Sequence, residues 1–275
     1  MKIARVFPRR TKATPDDELV FTSLPPEIIP DIDEVHVSVA FTYDMPIAEM
    51  LAEAWIKTGV PVKMGGPAFN QPSGEFIPGK YLKKGYVITS RGCPNNCWFC
   101  AVPKREGNQI RELPIVDGWN VLDDNLLACS EKHIRDVFSM LKRQHEKPLL
   151  TGGLEAKLLE PWHVDLLREA KVQRMYFAYD TPDDYEPLVE AGKLLQTGGI
   201  TRTSRRAYCY VLIGYKGDTF EKAEKRLWAA WDAGFAPFAT LYKDEKGEVP
   251  DGWKKLQREW VRPQILFPKL LKRHE

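Results

Sequence analysis

From residue 86 to residue 242 the chain repeats one pattern: a short apolar run, a turn of polar residues or glycine, then a longer stretch with helical spacing. Short apolar runs bounded by turn residues read as buried strands, and strands that alternate with helices imply a parallel sheet, because parallel neighbours need a crossover connection. The strand candidates are residues 86–90, 119–122, 148–151, 174–179, 207–213 and 236–241; the intervening helices cover 130–144, 161–170, 182 or 183 to 195, and 220–233, with Ser130 and Thr219 as N-caps. The expected fold is therefore α/β, a partial (β/α)6 barrel of parallel strands if the last unit is counted. In such barrels the active groups gather where the strands end.

Residues 1–66 carry the same alternation on a smaller scale. A strand at 2–7, a second at 35–41 that reads as buried on both faces, a helix at 47–58 closed by Gly59, and a strand at 60–64 predict a small Rossmann-like α/β unit. Residues 67–85 hold Pro67, Pro72, Gly74, Pro78, Gly79 and Gly85, so this stretch is expected to be an irregular connection before the barrel at 86–242. Residues 243–275 form a basic, aromatic C-terminal extension. From Asp251 onward it has seven Lys or Arg against three acids, with Trp253, Trp260 and Phe267 between them. It reads first as an amphipathic helix packed on its own domain and broken by Pro263 and Pro268, and second as a surface for nucleic acid.

Composition excludes little beyond the extremes. With 43% hydrophobic and 28% charged residues and a formal charge of +2, no overall field names a partner. No run of about 18 apolar residues suggests a membrane span, and Met1-Lys2-Ile3-Ala4-Arg5 does not begin a secretory leader. A cytoplasmic protein without a membrane partner is expected, its cysteines reduced.

Three of the five cysteines lie within eight residues, in Arg91-Gly92-Cys93-Pro94-Asn95-Asn96-Cys97-Trp98-Phe99-Cys100, spaced C-x3-C-x2-C. Structural zinc takes four closed ligands, whereas an iron-sulfur cube can be held at three corners with one iron left open. A zinc site would have to recruit Cys129 or His133, which are four residues apart and could share a helix face. His133, His145, His163 and His274 form no triad or H-E-x-x-H pattern, and Gly214-Tyr215-Lys216-Gly217-Asp218-Thr219 lacks the spacing of a phosphate loop.

The cysteine loop resembles the cluster-binding loop of the radical S-adenosylmethionine (SAM) superfamily, in which an aromatic residue, here Phe99, commonly precedes the last cysteine. The resemblance implies a 4Fe-4S cluster on Cys93, Cys97 and Cys100 whose open iron is chelated by SAM. One electron, from an external donor, then cleaves SAM to a 5'-deoxyadenosyl radical that abstracts hydrogen from an unidentified organic substrate. It also implies an open six-stranded barrel. The N-terminal part resembles a shortened form of the domain that precedes the barrel in cobalamin-binding members. It has no D-x-H-x-x-G motif, and His36 is its only histidine, so cobalamin is a minor alternative.

Further site candidates follow from the resemblance and from position at strand ends. Asp123, Asp124 or Asn125 could accept hydrogen bonds from SAM's ammonium, the task of a Gly-Gly-Glu segment that this chain lacks there; the same letters also suit an Asx turn. Gly152-Gly153 permits close backbone approach or positive φ, and Glu155 could bond the ribose or simply be solvated. Asp180 stands where related enzymes place an acidic ribose contact, while Ile213 and Gly214 resemble the apolar adenine contact and equally suit plain core. The functions expected are a radical SAM enzyme, a cobalamin-assisted methyltransferase of that superfamily, or a non-catalytic zinc-stabilised nucleic-acid-binding protein.

Overall fold

A computed structural model describes residues 1–244 and 246–271. The elements are β1 (Ile3–Val6), β2 (Val20–Phe21), β3 (Glu34–Ser38), α1 (Met45–Ile56), β4 (Val62–Gly65), β5 (Tyr86–Val87), β6 (Ser90–Arg91), α2 (Val102–Arg105), β7 (Arg111–Glu112) and β8 (Asn120–Val121). They continue with α3 (Glu131–Lys142), β9 (Leu149–Leu154), α4 (Pro161–Glu169), β10 (Arg174–Ala178), α5 (Tyr185–Thr197), β11 (Ala207–Ile213), α6 (Phe220–Asp232), β12 (Ala236–Leu241), α7 (Trp253–Val261) and α8 (Pro263–Leu271). The protein is α/β, with a six-stranded parallel sheet in the order β5-β8-β9-β10-β11-β12, which is chain order.

The chain divides into two compact units. The first comprises Met1–Val87 and Gly92–Gln109 with residues 246–247; the second comprises Ile88–Arg91, Ile110–Asp244 and residues 248–271. The cysteine loop thus clusters with the N-terminal unit, whereas the sequence reading assigned it to the segment 86–242.

In the first unit a four-stranded parallel sheet, order β2-β1-β3-β4, is covered by α1. The core is Ala4, Val6, Val35, Val37, Val39 and, from the helix, Ala48, Leu51, Ala52 and Trp55. Here β3 departs from expectation. Val35 and Val37 are buried, but His36 and Ser38 on the other face are only half-buried. The apolar alternates suffice for one helix on one face, and His36 instead bonds Tyr81 through Nδ1 and Glu34 through Nε2, the latter at 2.6 Å.

In the second unit, β11 is buried along both faces, as its apolar run requires. The expected caps form: Ser130 Oγ accepts from the His133 N–H at 3.2 Å, and Thr219 Oγ1 from the Lys222 N–H at 3.3 Å. The tail departs from expectation once. Pro263 does separate two helices, but Pro268 lies inside α8. The lost backbone bond and ring clash, about 3 kcal/mol, are offset by burial of Leu266, Phe267 and Leu270 on either side. No helix among the described residues is long and apolar enough to cross a membrane.

Candidate functional site

The cysteine loop occupies the sequence between β6 and β7, which pair antiparallel with Ser90 opposite Glu112 and Arg91 opposite Arg111. Gly92 begins the excursion at φ +86°, and a Cβ there would lie 2.2 Å from the Gln109 carbonyl, so no larger residue lets the loop's two ends approach. Within the loop the Cys93 N–H donates to the Gly107 carbonyl at 3.5 Å and the Cys100 N–H to the Cys97 carbonyl at 3.0 Å. The Val102 N–H, at the start of α2, donates to Cys100 Sγ at 3.4 Å. Cys93, Cys97 and Cys100 are uncrosslinked and half-buried. Phe99 meets the Trp98 ring edge-on with centroids 5.4 Å apart, and Trp98 itself is 60% exposed.

The donor set is of the kind that could hold an iron-sulfur cluster: three thiols on one loop that form no disulfide, with a backbone N–H donating to Cys100 Sγ. Among the described residues no three His, Cys, Asp or Glu side chains converge as ligands of a single metal ion. A cube makes no such demand, since each cysteine binds a different iron. The side chains considered for zinc are engaged elsewhere. Burial pushes the Cys129 thiol up to about 12, against the help of a hydrogen bond with Ser90, whereas zinc takes the thiolate. His133 is buried, with Nε2 3.3 Å from Thr89 Oγ1 and Nδ1 3.8 Å from Glu112.

At the end of β8, Asp123 turns inward. It is 1% exposed, and its carboxylate accepts from the Thr89 N–H and hydroxyl, each at 2.6 Å, and from the Ser90 hydroxyl at 2.7 Å. Desolvation raises its carboxyl above the ordinary value. Of the two residues that follow, Asp124 is half-buried and Asn125 is 4% exposed. Asn125 Nδ2 donates to Glu155 at 2.6 Å, and the other Glu155 oxygen lies 2.6 Å from the Lys157 ammonium. The ends of β8 and β9 thus join an amide, a carboxylate and an ammonium in one array, and Lys157 is a member that sequence reasoning missed.

Both expected roles of the glycine pair occur. Gly152 permits the close approach, since a Cβ would fall 2.2 Å from the Asp123 carbonyl oxygen, and Gly153 adopts φ +121°. A shallow depression with no room for a water molecule lies here, lined by Val121, Asp123, Leu126, Leu150, Gly152, Gly153 and Leu154.

At the ends of β10 and β11, Asp180 Oδ1 accepts from the Leu212 N–H at 2.9 Å. Asp218, buried, accepts from the Gly214 N–H at 2.9 Å and is held in a two-point pair by Arg226 at 2.8 and 3.1 Å. Arg226 also donates to the Leu212 carbonyl at 2.9 Å. This brace had a faint signal, an acid four residues after a turn glycine with an arginine two helical turns beyond. Ile213 and Gly214 are taken up by packing. Ile213 has no exposed surface, and a Cβ on Gly214 would lie 3.1 Å from the Trp253 ring.

Burial raises the Asp180 carboxyl to about 6, offset in part by the Leu212 N–H and reinforced by Asp184. A carboxyl raised in the folded state favours folding fully below its ordinary 3.8 and loses that contribution as pH rises through about 6. Asp180→Asn, which keeps an acceptor for Leu212, is expected to gain up to about 3 kcal/mol over the native protein between pH 4 and pH 8. Urea midpoints of both proteins at those two pH values check this.

The arrangement is that of an α/β protein with polar groups at the ends of parallel strands and a loop of three thiols. No protein-family model matches the chain, and no curated protein matches it.

Proposed function

We propose that the chain is a radical SAM enzyme in which Cys93, Cys97 and Cys100 hold one 4Fe-4S cluster with an iron open to SAM. In this reading the six parallel strands form an open (β/α)6 barrel, preceded in sequence by a Rossmann-like unit. The observation that carries it is the loop itself: three half-buried thiols at C-x3-C-x2-C that form no disulfide, with a backbone N–H on Cys100 Sγ. When bound, the cluster supplies one electron to SAM, and the hydrogen abstraction that follows is the cofactor's chemistry.

The chain's own part is to bind and orient. Asp124 and Asn125 supply acceptors for an amino group. Glu155, fixed between Asn125 and Lys157, presents a carboxylate of set direction to a ribose hydroxyl. Asp180, tied to the Leu212 N–H beside the Arg226–Asp218 pair, is a second such carboxylate above pH of about 6. Phe99 sits between the last two cysteines and shapes the loop. The partners are an external one-electron donor and an organic substrate. Cobalamin has no part in this reading, in which His36 serves to bond Tyr81 and Glu34.

The test is anaerobic reconstitution of the full chain with iron and sulfide, followed by SAM and dithionite. About four irons and four sulfides per chain and formation of 5'-deoxyadenosine are expected. Cys97→Ala is expected to lose cluster and product together. A loaded cluster that never yields 5'-deoxyadenosine would overturn the enzyme reading, and about one zinc without sulfide would replace it with the zinc-stabilised binding protein.

A further inference from the structure

The helix α7 presents two opposite faces. Trp253, Leu256 and Trp260 are buried, at 7%, 9% and 0% exposure. At about 100° per residue, Lys254, Arg258 and Lys255 fall within an arc of about 100° on the opposite side, and Arg262 follows as the C-cap. All four cations are exposed, and among the described residues none makes a side-chain ion pair or hydrogen bond.

Three observations bear on this face. Helices α3, α4 and α5 neutralise exposed cations three or four residues away, as in Glu131–Arg135, Lys132–Asp136, Asp165–Arg168 and Glu190–Lys193, while α6 leaves Lys222 and Lys225 without an ion pair among the described residues. The one acid within α7, Glu259, instead pairs with Lys269 at 3.4 Å. Lys254 and Lys255 also occupy the first helical turn, where the macrodipole disfavours positive charge, and the Gly252 N-cap makes no side-chain bond to relieve it. Two lysines that do not serve helix stability point to a partner outside the chain.

We propose that this face of α7 is a docking surface for the phosphodiester backbone of a nucleic acid, read by charge and not by sequence. Charge complementarity selects this occupant. The helix's apolar face is buried and so has nothing to insert into a lipid surface. The proposal is independent of the cysteine loop and of any cluster.

The test is fluorescence anisotropy of the full chain with a labelled 20-nucleotide single strand and with its duplex. Four phosphate contacts are expected to weaken binding about 50-fold for the single strand and about 150-fold for the duplex between 50 and 200 mM salt. The combined variant Lys254→Gln, Lys255→Gln, Arg258→Gln, Arg262→Gln is expected to bind at least about tenfold more weakly at 50 mM salt and to lose most of the salt dependence. Its thermal midpoint is expected to change little, because the loss of two lysines that oppose the helix dipole offsets the loss of two arginines at the helix's C-terminal end that favour it. A control with Lys132→Gln, Arg135→Gln and Lys193→Gln should bind as the native protein does. No binding by the native chain at 50 mM salt, equal binding by the fourfold variant, or tighter binding to phosphatidylserine vesicles than to either oligonucleotide would each overturn the proposal.

Discussion

Asp123→Ala is expected to destabilise the second compact unit by about 3–5 kcal/mol, seen as a fall in the urea midpoint with little change in slope. The carboxylate gathers three donors from one short stretch, the N–H and hydroxyl of Thr89 and the hydroxyl of Ser90, and both residues are fully buried. Truncation leaves those donors without an acceptor where water cannot replace it. Asp123→Asn is expected to cost only about 1–2 kcal/mol. Its amide oxygen can face the Thr89 N–H, which cannot rotate, while the two hydroxyls can turn and accept from its NH2. If alanine and asparagine cost the same, the network is not what holds this corner.

Gly152→Ala is expected to cost about 3 kcal/mol or more, for a different reason. The added methyl would meet the Asp123 oxygen at 2.2 Å, the Leu122 carbonyl carbon at 2.6 Å and the Asp123 nitrogen at 2.7 Å, all of them backbone atoms. None can swing away as a side-chain end would, so the ends of β8 and β9 must part. Gly153→Ala next door is a useful contrast. Nothing lies within 4 Å of its added methyl, so only the strain of φ +121° remains, about 1–3 kcal/mol. Asp123→Ala and Gly152→Ala open the same corner, and the double variant is expected to lose less than the sum of the singles. Denaturation of the four proteins side by side gives the coupling directly; strict additivity would contradict the shared corner.

Much of the chain's order was legible from residue patterns. The strand and helix alternation after residue 86, the Ser130 and Thr219 caps and the uses of Gly152 and Gly153 are local properties, set by side-chain period, hydroxyl capping and the absence of a Cβ. The three thiols share a loop because they are adjacent in sequence. The errors fall where a residue's fate depends on a distant segment. The apolar content of β3 suggested two covered faces, but only one helix packs on it, and His36 finds Tyr81, 45 residues away. Nothing local to Gly214 shows that the Trp253 ring lies against it. Pro268 was expected to break a helix whose flanking residues are anchored in the core.

What the sequence by itself determined is the succession of elements; the strand expected at 148–151 runs on to Leu154 and takes in Gly152 and Gly153. Which acid turns into the protein was decided by the tertiary structure alone. At a strand's end the backbone leaves the pleat, the two-residue period stops telling inside from outside, and an aspartate turns toward whichever donors the fold brings near. For Asp123 those donors lie 33 and 34 residues upstream, and nothing local in Asp123-Asp124-Asn125 distinguishes the buried acid from the half-buried one beside it.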